Sequence, residues 1–145
     1  MHVTRSMIID APIDRVWAAV RDFDGVVAWN PGVEGAVLEN GAPTQVGTVR
    51  SLDVGGDVPF RETLLAHSDH EYFYTYDILD SPLPVTNYVS THRFIPITHS
   101  NQTLGIWEST FDCAPEVAAE MAKTVGDAIY IGGMTGLNDY LKGAS

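Results

Sequence analysis

The 145-residue chain has one cysteine, Cys113, and only eight lysines and arginines against nineteen aspartates and glutamates. A single cysteine excludes a disulfide within the chain and any zinc site built from several thiolates, leaving a buried spectator thiol as its expected role. The shortage of cations gives a net charge of −11. Polyanions attract clusters of Lys and Arg, and no basic run occurs here, so neither nucleic acid nor a membrane is expected as a partner. No apolar run approaches the roughly 18 residues of a membrane span, and the opening "MHVTRSMIID" lacks the charged-then-apolar order of a signal peptide. A single cytoplasmic domain over residues 1–145, monomeric or homodimeric, is expected. The histidines His2, His67, His70, His92 and His99 include no pair at helix-ligand spacing, and "VGGDVP" and "YIGGMTG" lack the phosphate-loop lysine and the dinucleotide spacing. Neither a metal nor another cofactor is expected.

What the chain does have is a clear order of patterns. "HVTRSMII" reads as a strand, and "DAPIDRVWAAVRDF" as a helix whose Ile13, Val16, Trp17 and Val20 form one stripe. After the breakers Asp22, Asp24 and Gly25 a second short turn, "VVAW", ends before Asn30-Pro31. From about 33 to 112 strands alternate with turn signals at Asn40-Gly41, Gly55-Gly56-Asp57, Ser68-Asp69-His70, Asp80-Ser81-Pro82 and His99-Ser100-Asn101. Residues from about Pro115 to Leu141 are helical by period. A strand, two short helices, six strands and one long helix make an α+β fold in which a curved antiparallel sheet buries one face against the final helix.

That helix contains Gly132, Gly133 and Gly136, each costing about 1 kcal/mol relative to alanine in a helix interior. Three readings compete: a helix break with a glycine cap, close packing of the backbone on the sheet, or an open cavity bordered by Ala128, Gly132 and Gly136. The strands favour the cavity. In "EYFYTYDIL" the residues Tyr72, Tyr74, Tyr76 and Ile78 share one face. Each tyrosine hydroxyl needs a partner when buried, which suits a partly wet pocket better than a dry core; a solvent-facing aromatic ladder is the alternative. In "VPFRETLLAH" Glu62 falls on the apolar side with Phe60 and Leu64, where it must find donors or protonate. "LGIWESTFD" leaves open whether Trp107 or Glu108 points inward.

The stretches "APIDRVWAAVRDFDGVVAWNPGV", "GTVRSL", "RETLLAHSDHEYFYTYDI", "PLPVTNY", "WESTF" and "GLNDYL" together resemble the START-like, or SRPBCC, superfamily. Its members include bacterial polyketide cyclase/dehydrase-like proteins, plant pathogenesis-related proteins and abscisic acid receptors. The resemblance implies a helix-grip fold, in which a seven-stranded antiparallel sheet curls around a long C-terminal helix and encloses a cavity for a hydrophobic or aromatic small molecule. Matched to the receptor pattern, Asn30, Glu62, Tyr88, Ser90 and Glu108 are the implied polar pocket residues. Phe60, Tyr76 and Ile78 match the wall, and Ala128, Gly132 and Gly136 match the helix face. Glu108 would then point inward and Trp107 outward.

Two departures bear on function. Asn30 stands where the receptors carry the lysine that meets a ligand carboxylate, and of the basic residues only Arg50, on a strand of open parity, can reach the inner face. A neutral or amine-bearing ligand is therefore expected. The receptors' gate and latch sequences are replaced by "DVGGDVP" and "PLPVTNY", so hormone signalling does not carry over. Glu62, Glu108, Tyr88 and His92 form the one constellation suited to acid–base chemistry. Two carboxyls in an apolar pocket would split into an acid and a base, and Tyr88 would donate to a developing enolate oxygen. A cofactor-free cyclase or dehydratase is the alternative to a binding protein, in which the same groups hold water around a ligand.

Overall fold

The computed structural model describes residues 1–143. Strand β1 (His2–Ile9) leads into helix α1 (Ile13–Val20) and a single 3₁₀ turn (Gly25–Ala28). Six strands follow: β2 (Gly35–Leu38), β3 (Val49–Asp53), β4 (Phe60–Ser68), β5 (Phe73–Asp80), β6 (Thr86–Ile97) and β7 (Gln102–Asp112). They form one antiparallel seven-stranded sheet in the order β1-β7-β6-β5-β4-β3-β2, a meander from β2 to β7 closed by β1. The final helix then crosses the inner face. It begins with a 3₁₀ turn at Pro115–Val117, continues as α2 (Ala118–Lys123), passes through a π-helical stretch (Thr124–Ile131) and ends as α3 (Gly132–Gly143). This is the helix-grip arrangement, an open antiparallel sheet holding a long C-terminal helix.

The sequence patterns account for most of these elements. Val16, Trp17 and Val20 are buried along one side of α1, as their spacing requires. Strand alternation places Tyr74 and Tyr76 of β5, Phe94 of β6, and Trp107 and Phe111 of β7 in one core with Val125, Tyr130, Met134 and Leu137 of the helix. Tyr72 departs from the expected tyrosine face. It precedes β5 in a left-handed conformation (φ 61°) and packs edge-on against Trp17 at 6.0 Å, away from Tyr76.

The turn between β4 and β5 is pinned to α1 by Asp69. Its carboxylate accepts hydrogen bonds from Trp17 Nε1 (2.8 Å), from Arg21 Nε and Nη2 (3.1 and 2.9 Å) and from His67 Nε2 (3.0 Å, His67 donating). The Arg21 bond is the foremost cause that holds the Asp69 carboxyl far below the ordinary carboxylate range, followed by the Trp17 bond. A depressed folded value contributes stability above the unfolded pKa of about 3.9, and this is lost as pH falls below it. Asp69→Ala also strips the acceptor from the buried Trp17 N–H, an expected cost of about 1–2 kcal/mol at pH 7. Urea unfolding at pH 7 and pH 3 should show the deficit at pH 7 and a smaller one at pH 3. An equal deficit at both would rule out the ionised carboxylate as its source.

Candidate functional site

A cavity of about 240 Å³ lies between the sheet and the final helix. It is larger than the ~150 Å³ hole known to admit benzene, and below the ~300–1,000 Å³ of drug-sized sites. Its floor is a row across three strands, because the register sets Arg50 opposite Glu62 and Glu62 opposite Ile78. Phe60, Leu52 and Tyr76 flank that row, Tyr88 and His92 come from β6, and Trp107 from β7. Val26, Trp29, Asn30 and Val33 approach from the segment after α1, and Ala128 and Ile129 from the π-helical stretch. Val54, beside Gly55-Gly56, and Leu83, between Pro82 and Pro84, also border it.

The structure thus brings Asn30, Phe60, Glu62, Tyr76, Ile78, Tyr88, His92 and Ala128 together. It separates the others. Glu108 is the main correction: it lies on the outer face with its side chain 47% exposed, 3.2 Å from His2 Nε2. Trp107 takes the inner position, fully buried. A strand cannot present successive residues to one face, and Trp107 has far more apolar surface to bury than Glu108, so the tryptophan decides the parity of β7. Tyr74 does not line the cavity: it is buried against Phe23, 5.8 Å from the Arg50 guanidinium. Ser90 is buried behind the wall, its Oγ 2.6 Å from the Tyr130 hydroxyl.

Gly132 and Gly136 do not border the cavity. The helix runs through them unbroken, as the stripe spacing predicted, but across the π-helical stretch the buried stripe steps five residues, from Val125 to Tyr130, and continues at Met134 and Leu137 instead of at residues 132 and 136. Gly136 lies against Trp29 and Pro31, where an added Cβ would come within 2.5 Å of Pro31 Cδ. Gly133 lies against Trp107, with the corresponding distance 2.7 Å. Close backbone approach, not open space, is what these two glycines serve.

Arg50, whose strand parity the sequence left open, brings a cation to the inner face. It is buried, donates Nε to Glu62 Oε1 (2.8 Å) and Nη1 to the Phe23 carbonyl (2.8 Å), and lies over the Phe23 ring at 4.0 Å. Burial pushes the Glu62 carboxyl above the ordinary carboxylate range, with the Arg50 guanidinium pulling the other way. The same burial, helped by the nearby Arg50 charge, lowers the His92 pKa well below its usual value, so the imidazole is neutral at neutral pH. His92 stacks on Trp107 at 3.8 Å, nearly parallel, and its Nε2 is 3.2 Å from the Tyr76 hydroxyl. Tyr130, which sequence reasoning missed, ties the wall together: its hydroxyl meets those of Tyr88 (3.0 Å) and Ser90. Burial raises Tyr76, Tyr88 and Tyr130, keeping all three phenols protonated.

The sequence profile of the polyketide cyclase/dehydrase and lipid transport family matches residues 1–142. The chain belongs to this family of START-like (SRPBCC) proteins. Solved structures of similar proteins share the helix-grip fold over nearly their whole length. The protein XoxI from Bacillus cereus is 33% identical, with a TM-score of 0.85 over 97% of this chain and 95% of that one. An uncharacterised Bacillus thuringiensis protein is 32% identical, with a TM-score of 0.86 over 98% and 99%. A Thermobifida fusca protein solved by NMR is 27% identical, with a TM-score of 0.89 over 97% and 92%. No curated protein is similar enough to match. The polyketide cyclase/dehydrase-family fold suggests a hydrophobic-ligand-binding or cyclase role. Among the described residues, no helix is long and apolar enough to cross a membrane.

Proposed function

We propose that the protein binds a small, neutral, largely aromatic molecule in the cavity between sheet and helix. One observation carries this reading: the two charged side chains of the wall, Arg50 and Glu62, are bonded to each other, and the rest of the wall is apolar, aromatic or uncharged. A carboxylate ligand would have to compete with Glu62 for Arg50, and an amine would bring a second cation beside the guanidinium; each would also lose its hydration. The amine expected from sequence therefore loses its basis, which was an inner surface with two acids and no clear basic partner: Glu108 lies outside and Glu62 is paired with Arg50. Asn30 does not replace that cation, since its Oδ1 accepts the Gly32 N–H (2.9 Å) and holds the turn.

Trp29 and Trp107 line the cavity and report on its occupancy through their fluorescence. Titration with 2-naphthamide, 2-naphthylmethylamine and 2-naphthoate should give the amide at least about tenfold tighter binding than either ion. Tightest binding of the carboxylate would show that Arg50 is available to anions, and no response to any of the three would remove the cavity as a ligand site. Cofactor-free cyclisation or dehydration is a second reading. It is supported by the raised Glu62 carboxyl bordering the same space as the Tyr88 hydroxyl and His92, but with Glu108 outside it has one carboxyl to work with instead of two.

A further inference from the structure

The buried ion pair is only partly used by the protein itself. Glu62 Oε1 is bonded to Arg50 Nε, whereas Oε2 accepts no hydrogen bond from any described residue. Nor is Oε2 among the atoms sealed in the interior without a partner, which are Trp29 Nε1, His67 Nδ1, His92 Nδ1, Trp107 Nε1 and Ser109 Oγ. Glu62 is 4% exposed and lines the cavity, so its second oxygen faces the cavity space. We infer that Glu62 Oε2 is the polar anchor of the ligand and that the ligand presents to it a neutral hydrogen-bond donor, a hydroxyl or N–H carried on its aromatic skeleton.

The reasoning is one of satisfying an acceptor without adding charge. A carboxylate oxygen in a largely apolar space keeps an unmet demand for a donor, and a hydrogen bond to it is charge-assisted and stronger than a neutral one. Arg50 already balances the charge of Glu62, so a neutral donor completes the site where a cation would oppose the guanidinium. The pair is rigid enough to discriminate: Arg50 is fixed by Glu62, by the Phe23 carbonyl and by the Phe23 ring, and Glu62 is fixed by Arg50 and by its place in mid-sheet between β3 and β5.

This inference rests on the cavity's being a ligand site, and the test separates the two. Naphthalene, 2-methoxynaphthalene and 2-naphthol are titrated against the full chain by tryptophan fluorescence. The expected result is that 2-naphthol binds about tenfold or more tighter than 2-methoxynaphthalene, which has the oxygen but no donor. In Arg50→Met/Glu62→Leu that ratio should fall towards one. Should this double variant fail the circular-dichroism check of its fold, Glu62→Gln is used, where loss of the charge should cut the ratio several-fold. All three compounds binding alike, or a ratio unchanged in the variant, overturns the anchor while leaving the cavity reading intact. Binding by none overturns both.

Discussion

Arg50→Ala should destabilise the protein by about 3–5 kcal/mol at neutral pH, because it leaves Glu62 buried in mid-sheet without its counter-charge. Both side chains are almost fully buried, 3% and 5% exposed, so solvent does little to screen the loss. The Phe23 carbonyl would also lose the Nη1 donor, and the Phe23 ring its stacked guanidinium. The deficit should depend on pH with a definite sign. Without Arg50, burial and the nearby Asp77 charge act on Glu62 unopposed and raise its folded pKa further above the unfolded value of about 4.3. A raised carboxyl favours the folded state at low pH, and that advantage is lost as pH rises through the folded value. The difference from the unmutated protein should therefore be smaller at pH 5 than at pH 8 in urea unfolding. Arg50→Met/Glu62→Leu should recover most of the loss, since a well-packed apolar pair removes both desolvation costs. A single variant within 1 kcal/mol of the unmutated protein at pH 8 would contradict the buried pair.

The second large effect lies in the glycines of the final helix, which should respond in opposite directions. Gly136→Ala and Gly133→Ala should each lose about 2 kcal/mol. At 136 the new Cβ meets Pro31 Cδ at 2.5 Å and the Trp29 carbonyl oxygen at 2.7 Å; at 133 it meets the Trp107 ring at 2.7 Å. Overpacking of this kind costs about 1–3 kcal/mol or more, against the gain of up to about 1 from helix propensity. Gly132→Ala finds only Asp127 O, at 3.8 Å, so the propensity gain stands alone and the variant should be more stable. For a domain of this size the melting temperature should move by about 2–4 °C per kcal/mol. Stabilisation at all three positions would mean that the helix lies farther from Trp107 and Pro31 than described. Gly133→Ala should also weaken naphthamide binding by pressing Trp107 towards the cavity.

Periodicity and turn chemistry made the fold legible. The strand at the start, the α1 stripe, the six later strands and the long helix each carry a local signal, since burial of one face imposes period 2 or 3.6 on the residues themselves. Parity within β4 and β5 likewise brought Phe60, Glu62, Tyr76 and Ile78 to the cavity side. The signal failed where two patterns competed or where the period itself changed. In β7 the apolar residues occur on both faces, and the fold settles the parity by burying the large apolar surface of Trp107 against His92 and Trp29. In the final helix an α-helical period was extended across a π-helical stretch, which shifted the phase, hid Tyr130 and misplaced Gly132 and Gly136.

What the sequence alone determined, then, is the set of elements, their order, the inward face of most strands and the predominantly aromatic character of the wall, all properties of residues close together in the chain. Pairings between distant residues were decided by the tertiary structure: Arg50 with Glu62, Tyr130 with Tyr88 and Ser90, Gly133 with Trp107, and Glu108 with His2. The physical reason is that the charge and packing of a cavity are sums over facing side chains. A lone Glu62 reads as an uncompensated acid until strand register sets Arg50 opposite it, and a helix glycine reads as space until a ring is seen to fill it.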